Sequence, residues 1–403
     1  MQTIAEAYVK LVLAMGQHDP DYVDAFYGPA EWRKEAEATQ QPLADIRAAA
    51  KTQLAALGPE PAGDGMEQLR HRYLACQLGA LISRVDLLSG TRLSFDEESK
   101  ALYDAVAPTH TEEELEAIAA QMGALLPGEG DLLARFEAYR EGFVIPPDKL
   151  EGVFSAAIDT CRERTRVHLE LPAEETFEVG YVTDKAWSAY NWYKGGFKSL
   201  IQVNTDLPIT IDRAIDLAAH EGYPGHHVYN VLLEKNLVRD RGWVEFSVYA
   251  LFSAQSLIAE GTANFGIEVA FPGDERLAYE RDVLYPLAGL DPDTAEGYAR
   301  VCKQLAKLSY AGNEAARRYL NGDIDGVAAA EWLSKYAMTP KQRAEQRIRF
   351  IDQYRSYVIN YNLGEDMVAD YINGLGGTAD QPARRWAEFT KLLASPRLPS
   401  GLR

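Results

Sequence analysis

Apolar residues recur at three- and four-residue intervals along most of the chain, the mark of helices with one buried face. Residues 5–15 keep that spacing and end at Gly16. Residues 19–27 read as a short helix closed by Gly28-Pro29, and 42–57 as an Ala-rich helix stopped by Gly58-Pro59. The stretch 58–65 has loop composition. Residues 66–88 hold the pattern longest, with Leu74, Leu78, Leu81, Val85 and Leu88 on one stripe. Ser94 followed by Glu97 is a capping box opening the next helix, and 111–126 and 130–143 continue the run. Val144-Ile145-Pro146-Pro147 breaks it. We therefore expect an N-terminal helical subdomain over 1–145 and a catalytic helical domain over 146–403.

Beyond a further helix at 149–169, the period changes from helical to alternating. Residues 176–182, 187–192 and 196–204 are rich in aromatic and β-branched residues between Gly and Asp breaks. They predict a small antiparallel sheet, with Phe197, Ser199, Ile201 and Val203 on one face. Such an edge strand is either a structural hairpin or a surface that grips an extended peptide by strand addition. Helical spacing then returns at 209–219, 228–237, 243–271, 294–320, 324–338, 339–362 and 365–373. The tail from Ser395 is rich in Pro and Gly and predicted to fray. The fold class is mainly α.

Charge removes one class of function. With 60 acidic against 41 basic residues, the net charge of −19 opposes binding to phosphate backbones, so no nucleic-acid partner is expected. No run approaches the ~20 apolar residues of a membrane helix, so no membrane partner is expected either. Glu6 and Lys10 interrupt the apolar start, which argues against a signal peptide. Cys76, Cys161 and Cys302 are scattered and odd in number, as suits free thiols in a reducing compartment. The expected location is cytoplasmic.

Chemistry concentrates in one place. Only seven histidines occur in the chain, and three stand in His220-Glu221-Gly222-Tyr223-Pro224-Gly225-His226-His227. His18, His71, His110 and His168 stand singly and specify little. Imidazole is the commonest ligand of catalytic zinc, and a neighbouring carboxylate is suited to take a proton from water activated by the metal. On a straight helix, however, about 100° per residue leaves His220 and His226 roughly 120° apart. His220 and His227 share a face but lie about 10 Å apart along the axis. Pro224 at i+4 removes a donor and collides with the carbonyl of His220, while Gly225 tolerates unusual backbone angles. The segment is thus either a metal helix with a bulge or no metal site.

HEGYPGHH resembles the HExxPGHH signature of the bacterial domain of unknown function 885 family, grouped with the zincin metallopeptidases. The resemblance runs from about Tyr8 to the C-terminus and takes in His18-Asp19-Pro20 and Tyr27-Gly28-Pro29. It implies a zincin-like helical metallopeptidase architecture, with the small antiparallel sheet beside the metal helix and a Glu as third ligand. Glu260, in Ser256-Leu257-Ile258-Ala259-Glu260-Gly261-Thr262, fits that place. The family carries an aromatic where this chain has Thr262. A carboxylate after an apolar run must be paired or metal-bound to be buried, so an interior salt bridge is the other account. Aligning Gly225-His226 with the Gly-His of related motifs makes His220, His226 and Glu260 the metal set. His227 is then a partner that orients a ligand or the oxyanion.

The remaining candidates serve substrate and transition state. Ser309-Tyr310-Ala311-Gly312 resembles the family's Ser-Tyr-x-x-Gly segment with the glycine one residue early, and Tyr310 would donate to an oxyanion. The basic 339–362 stretch carries Arg347, Tyr354, Arg355, Tyr357 and Tyr361; an Arg there, Arg355 among them, would hold a substrate carboxylate, and Tyr357 or Tyr361 would serve as oxyanion donor. Glu268 would orient a histidine or face solvent. The expectation is a zinc-dependent metallopeptidase acting on short peptides, an oligopeptidase or carboxypeptidase with Glu221 as general base. The alternatives are hydrolysis of a non-peptide amide, or a degenerate zincin that binds peptides without cleaving them.

Overall fold

The computed structural model describes residues 1–62, 65–185 and 187–402. The 58–65 loop falls partly outside them. The protein is mainly helical, and the long helices lie where the apolar stripes put them. Leu43–Leu57, Gly65–Leu88 and Leu150–His168 match the expected spans within a residue or two. The Ser94/Glu97 capping box is formed, and Thr111 with Glu114 makes a second.

Two predicted helical stretches contain strands. Val23–Phe26 (β1) lies inside the expected 19–27 helix. Val248–Ala250 (β5) lies inside the expected 243–271 helix. They pair with each other antiparallel, and Leu251 N–H donates to Tyr22 O while Tyr27 N–H donates to Ser247 O, both at 2.9 Å. Tertiary pairing overrides local periodicity in segments this short. The remainder of the second stretch is the helix Ala254–Ala270, whose small residues are buried nearly all round, as befits a helix through the middle of a core.

The second sheet holds Thr176–Val182 (β2), Ala189–Gly195 (β3) and Lys198–Asn204 (β4), ordered β2-β4-β3. β3 and β4 form the expected antiparallel hairpin, while β2 joins β4 in parallel, so this sheet is mixed. Ser199, Ile201 and Val203 are buried and Lys198, Leu200, Gln202 and Asn204 are turned outward, the alternation read from the sequence.

Three other expectations are corrected. The 294–320 stretch is two helices, Ala295–Ala306 and Ala311–Asn321. The 339–362 stretch breaks after Lys341–Tyr354, where Arg355 takes φ 53°. A 3-10 turn follows, then the helix Ile359–Gly374, so the helix expected over 365–373 begins six residues earlier. The tail does not fray: Pro399–Leu402 is a 3-10 turn with both of those residues buried.

The core is continuous across Val144–Pro147. One apolar cluster joins Tyr8, Leu78 and Phe95 to Phe252, Phe265 and Phe389, and buried Arg70 pairs with buried Glu245 at 2.6 Å. Among the described residues, no helix is long and apolar enough to cross a membrane. The helices Ala254–Ala270 and Ile359–Gly374 cross backbone to backbone at Gly261 and Gly364. A Cβ on Gly364 would lie 2.7 Å from Leu257 O. We expect Gly364→Ala and Gly261→Ala each to lower stability by ~1–3 kcal/mol through overpacking. Gly312→Ala, with nothing within 4 Å of the added carbon, should leave thermal unfolding unchanged or slightly raised.

Candidate metal centre

The helix Asp212–Leu217 runs into a π-helical turn, Ala218–Gly222, that carries His220 and Glu221. The wider turn, the cis Tyr223–Pro224 peptide and Gly225 then fold the chain back before the helix His226–Leu233 begins. Gly225 N–H donates to Ala219 O at 2.9 Å. A side chain at Gly225 would overlap the carbonyl oxygens of Ala219 and His220, so only glycine fits. The fold-back brings the His220 and His226 rings to 4.6 Å between centroids, at 89° to one another.

Glu260 reaches the same point from the central helix. Its Oε2 lies 3.2 Å from His220 Nε2 and 3.6 Å from His226 Nε2. Ligands about 2.1 Å from a tetrahedral zinc stand about 3.4 Å from one another, so these separations fit a shared ion. Glu260 Oε2 is also buried with no hydrogen-bond donor, a vacancy of charge that a cation satisfies. The other oxygen, Oε1, accepts from Tyr357 Oη at 2.7 Å. Asn264, one turn after Glu260, donates through Nδ2 to Tyr361 O at 3.0 Å and accepts from His220 Nδ1 at 2.8 Å. That bond leaves the Nε2 lone pair of His220 directed at the shared point.

The ionisable groups at this point also perturb one another. Burial opposes charge on His220, but the Glu260 carboxylate beside it and the Glu221 charge raise its pKa to about 9. Burial likewise pushes Glu260 up, and the two imidazoles outweigh it and hold the carboxyl well below the usual range. Glu221 is buried, one of its oxygens has no partner, and burial raises its pKa. Asn191 Nδ2 steadies the Glu221 carbonyl at 2.7 Å.

His227 points the other way. Fully buried, it donates from Nε2 to Glu175 Oε2 at 2.9 Å and accepts at Nδ1 from Ser199 Oγ at 2.8 Å. Burial keeps it below its ordinary pKa and neutral. Glu175 also accepts from Tyr223 Oη and Arg166 Nη2, each at 2.6 Å. His227 thus ties the fold-back to the sheet, and the group whose ligand atoms converge closely enough to hold an ion is His220, His226 and Glu260.

Of the other candidates, Tyr357 and Tyr361 reach the cleft beside Glu260. Tyr310 does not line it: its hydroxyl donates to Asp366 at 2.5 Å and its ring lies against His110. Arg355 is turned away and pairs with buried Glu98 at 2.6 Å, stabilising the helix break. Glu268 is on the surface; the orienting role it was offered belongs to Asn264. Asn264 was legible as the i+4 neighbour of Glu260 on one helix face. Asp24 and Glu175 had no sequence signal. Asp24, on β1, accepts from Tyr190 Oη and lines the cleft. Burial and the charges of Glu260 and Glu221 raise its pKa to about 8.

The cleft encloses about 1460 Å³, with the edge strand β3 contributing Ala189, Tyr190 and Asn191 to its wall. No family model matches the chain, and comparison with curated proteins finds no match. Among solved structures, a candidate lipoprotein from Colwellia psychrerythraea aligns with a TM-score of 0.57 at 16% identity, covering 92% of this chain and 72% of that one. The two share a fold. A candidate lipoprotein of unknown function from Shewanella oneidensis aligns at 0.45 and 13% identity, over 91% of this chain and 78% of that one, a likeness too slight to argue from.

Two expectations follow. In metal analysis after zinc loading, His220→Ala, His226→Ala and Glu260→Ala should each lose the ion. Asn264→Ala should weaken zinc about 10–100-fold, and His227→Ala should retain it while unfolding at lower temperature. For pH, burial opposes ionisation of Glu175, but its bonds from His227, Tyr223 and Arg166 lower its pKa to about 2. The unfolded value is about 4.3, so this carboxylate stabilises the fold above that pH and ceases to as pH falls toward 2. Wild-type melting temperature should therefore drop more steeply between pH 5 and 2 than that of Glu175→Gln.

Proposed function

We propose that the protein is a zinc-dependent metallopeptidase acting on short peptides. The observation that carries this reading is the Glu260 oxygen without a donor, 3.2 and 3.6 Å from two imidazole nitrogens, together with a buried oxygen of neighbouring Glu221 that likewise has no partner. The resemblance of the HEGYPGHH segment to zincin motifs agrees with it. Zinc, when bound, supplies a Lewis acid that polarises a carbonyl and acidifies water.

The chain's own residues divide the remaining work. Glu221, its pKa raised by burial, takes the proton of the attacking water and returns it to the leaving amine. Tyr361 is the oxyanion donor. It lines the cleft, its hydroxyl has no hydrogen-bond partner among the described residues, and burial with the nearby Glu260 charge holds its proton on at all working pH values. Tyr357 is a positioning residue, because its hydroxyl is committed to Glu260. The edge of β3 offers main-chain groups to an extended peptide along the cleft.

Glu221→Gln should leave zinc content intact and slow cleavage of a mixed peptide library at least 10²-fold. Tyr361→Phe should lower kcat about 10²-fold with little change in KM. Zinc binding without cleavage of any peptide would overturn the peptidase reading in favour of another amide. Absence of zinc after loading would overturn the hydrolase.

A further inference from the structure

The wall of the cleft that leads to the metal cluster is positively charged in a strongly acidic protein. On the helix Lys341–Tyr354, Arg343, Arg347, Phe350 and Tyr354 recur at successive turns, and all four line the cleft. The series continues through Tyr357, whose ring is 5.8 Å from Tyr361 and whose hydroxyl is on Glu260. The Arg347 guanidinium lies 6.0 Å from the Tyr361 ring and 4.6 Å from that of Phe350. Arg347 is thus linked to Glu260 through Tyr361 and then Tyr357.

A turn further out, two more guanidinium groups converge. Arg343 Nη2 reaches Pro208 O at 3.5 Å and Arg140 Nη2 reaches Thr210 Oγ1 at 3.1 Å, so both tips rest on the same three-residue segment. Arg213 follows three residues later and lines the cleft beside them. Burial and the charges of Arg140 and Arg213 lower the pKa of Arg343.

Among the described residues, Arg140, Arg343 and Arg347 form no ion pair. The chain carries 60 acidic residues against 41 basic ones, so the lack of partners is not a shortage of carboxylates. The neighbouring acids are committed elsewhere. Asp212 accepts from Tyr298 Oη at 2.8 Å, and Asp216 sits between Arg213 at 3.1 Å and Arg276 at 2.8 Å. Half-buried guanidinium groups crowded together without an ion-pair partner are costly, and an arriving carboxylate relieves that cost through charge-assisted, bidentate bonds.

We infer that the cleft selects peptides ending in an acidic residue. Arg347 holds the terminal main-chain carboxylate beside the metal cluster, and Arg343 with Arg140 holds the side-chain carboxylate. One helical turn, about 6 Å along the axis, separates Arg343 from Arg347, which suits the two carboxylates of a single glutamate. This rests on the peptidase reading and deepens it, since it names the residue on the leaving side of the scissile bond.

The test is titration calorimetry on the full chain in a Glu221→Gln background, with zinc content measured on the same sample. The probes are N-acetyl-Ala-Glu, N-acetyl-Ala-Gln and the C-terminal amide of N-acetyl-Ala-Glu. The Glu-ended peptide should bind about tenfold to a hundredfold tighter than the Gln-ended one, the range of one charge-assisted contact. Arg343→Gln should erase that preference, with Arg343→Lys, which keeps the charge, retaining part of it. Arg347→Gln should weaken both free acids toward the affinity of the amide. Equal binding of the Glu- and Gln-ended peptides, survival of the preference in Arg343→Gln, or no binding of any probe overturns the inference. If zinc is bound and neutral peptides are cleaved by the Glu221 enzyme as fast as acidic ones, the peptidase stands and the acidic selectivity falls. If the preference depends on Arg343 but no zinc is held, the acidic pocket stands and the peptidase falls.

Discussion

Burying Glu260 as a charged group is the demand that the rest of the site answers. A carboxylate in a protein interior costs several kcal/mol unless positive charge and hydrogen-bond donors surround it. Here one oxygen takes the Tyr357 hydroxyl, and the other faces two imidazoles and has no donor of its own. Either protons on the histidines or a divalent ion completes that arrangement. Asn264, by accepting from His220 Nδ1, fixes the ring so that Nε2 faces Glu260 in either case.

The chain meets this demand with backbone rather than side-chain devices. The π-helical turn and Gly225 fold the motif back on itself, and the Gly261–Gly364 crossing lets the helix bearing Tyr361 approach the helix bearing Glu260. A side chain at either contact would collide with backbone atoms. The adjacent histidines then separate their tasks. His226 faces the cleft, while His227 anchors the fold-back to β4 through Ser199 and to Glu175.

Much of the fold was legible wherever the apolar stripe was long enough to dominate. The Gly65–Leu88 helix, the two-faced β4 strand and the Ser94/Glu97 cap were all apparent. Short segments were not, because β1 and β5 owe their conformation to each other across 220-odd residues of chain rather than to their own pattern. In the site, the His220, His226 and Glu260 set was legible from residue types and a resemblance. The tyrosines were not separable by sequence: Tyr310 and Tyr357 differ only in what they pack against. Arg355 looked like a substrate ligand because nothing local announces that Glu98, far upstream, claims it.

That claim has a consequence for how the molecule comes into being. Glu98 also accepts from the Ser356 N–H and hydroxyl, so an acid in the first quarter of the chain sets the bend between the arginine-bearing wall and the helix carrying Tyr361. Partners so distant in sequence make loop closure the slow part of folding. During synthesis, Glu98 stays without these partners until the last third of the chain has emerged. The working cleft, whose lining runs from Asp24 to Arg385, is therefore complete only after nearly the whole chain has been made.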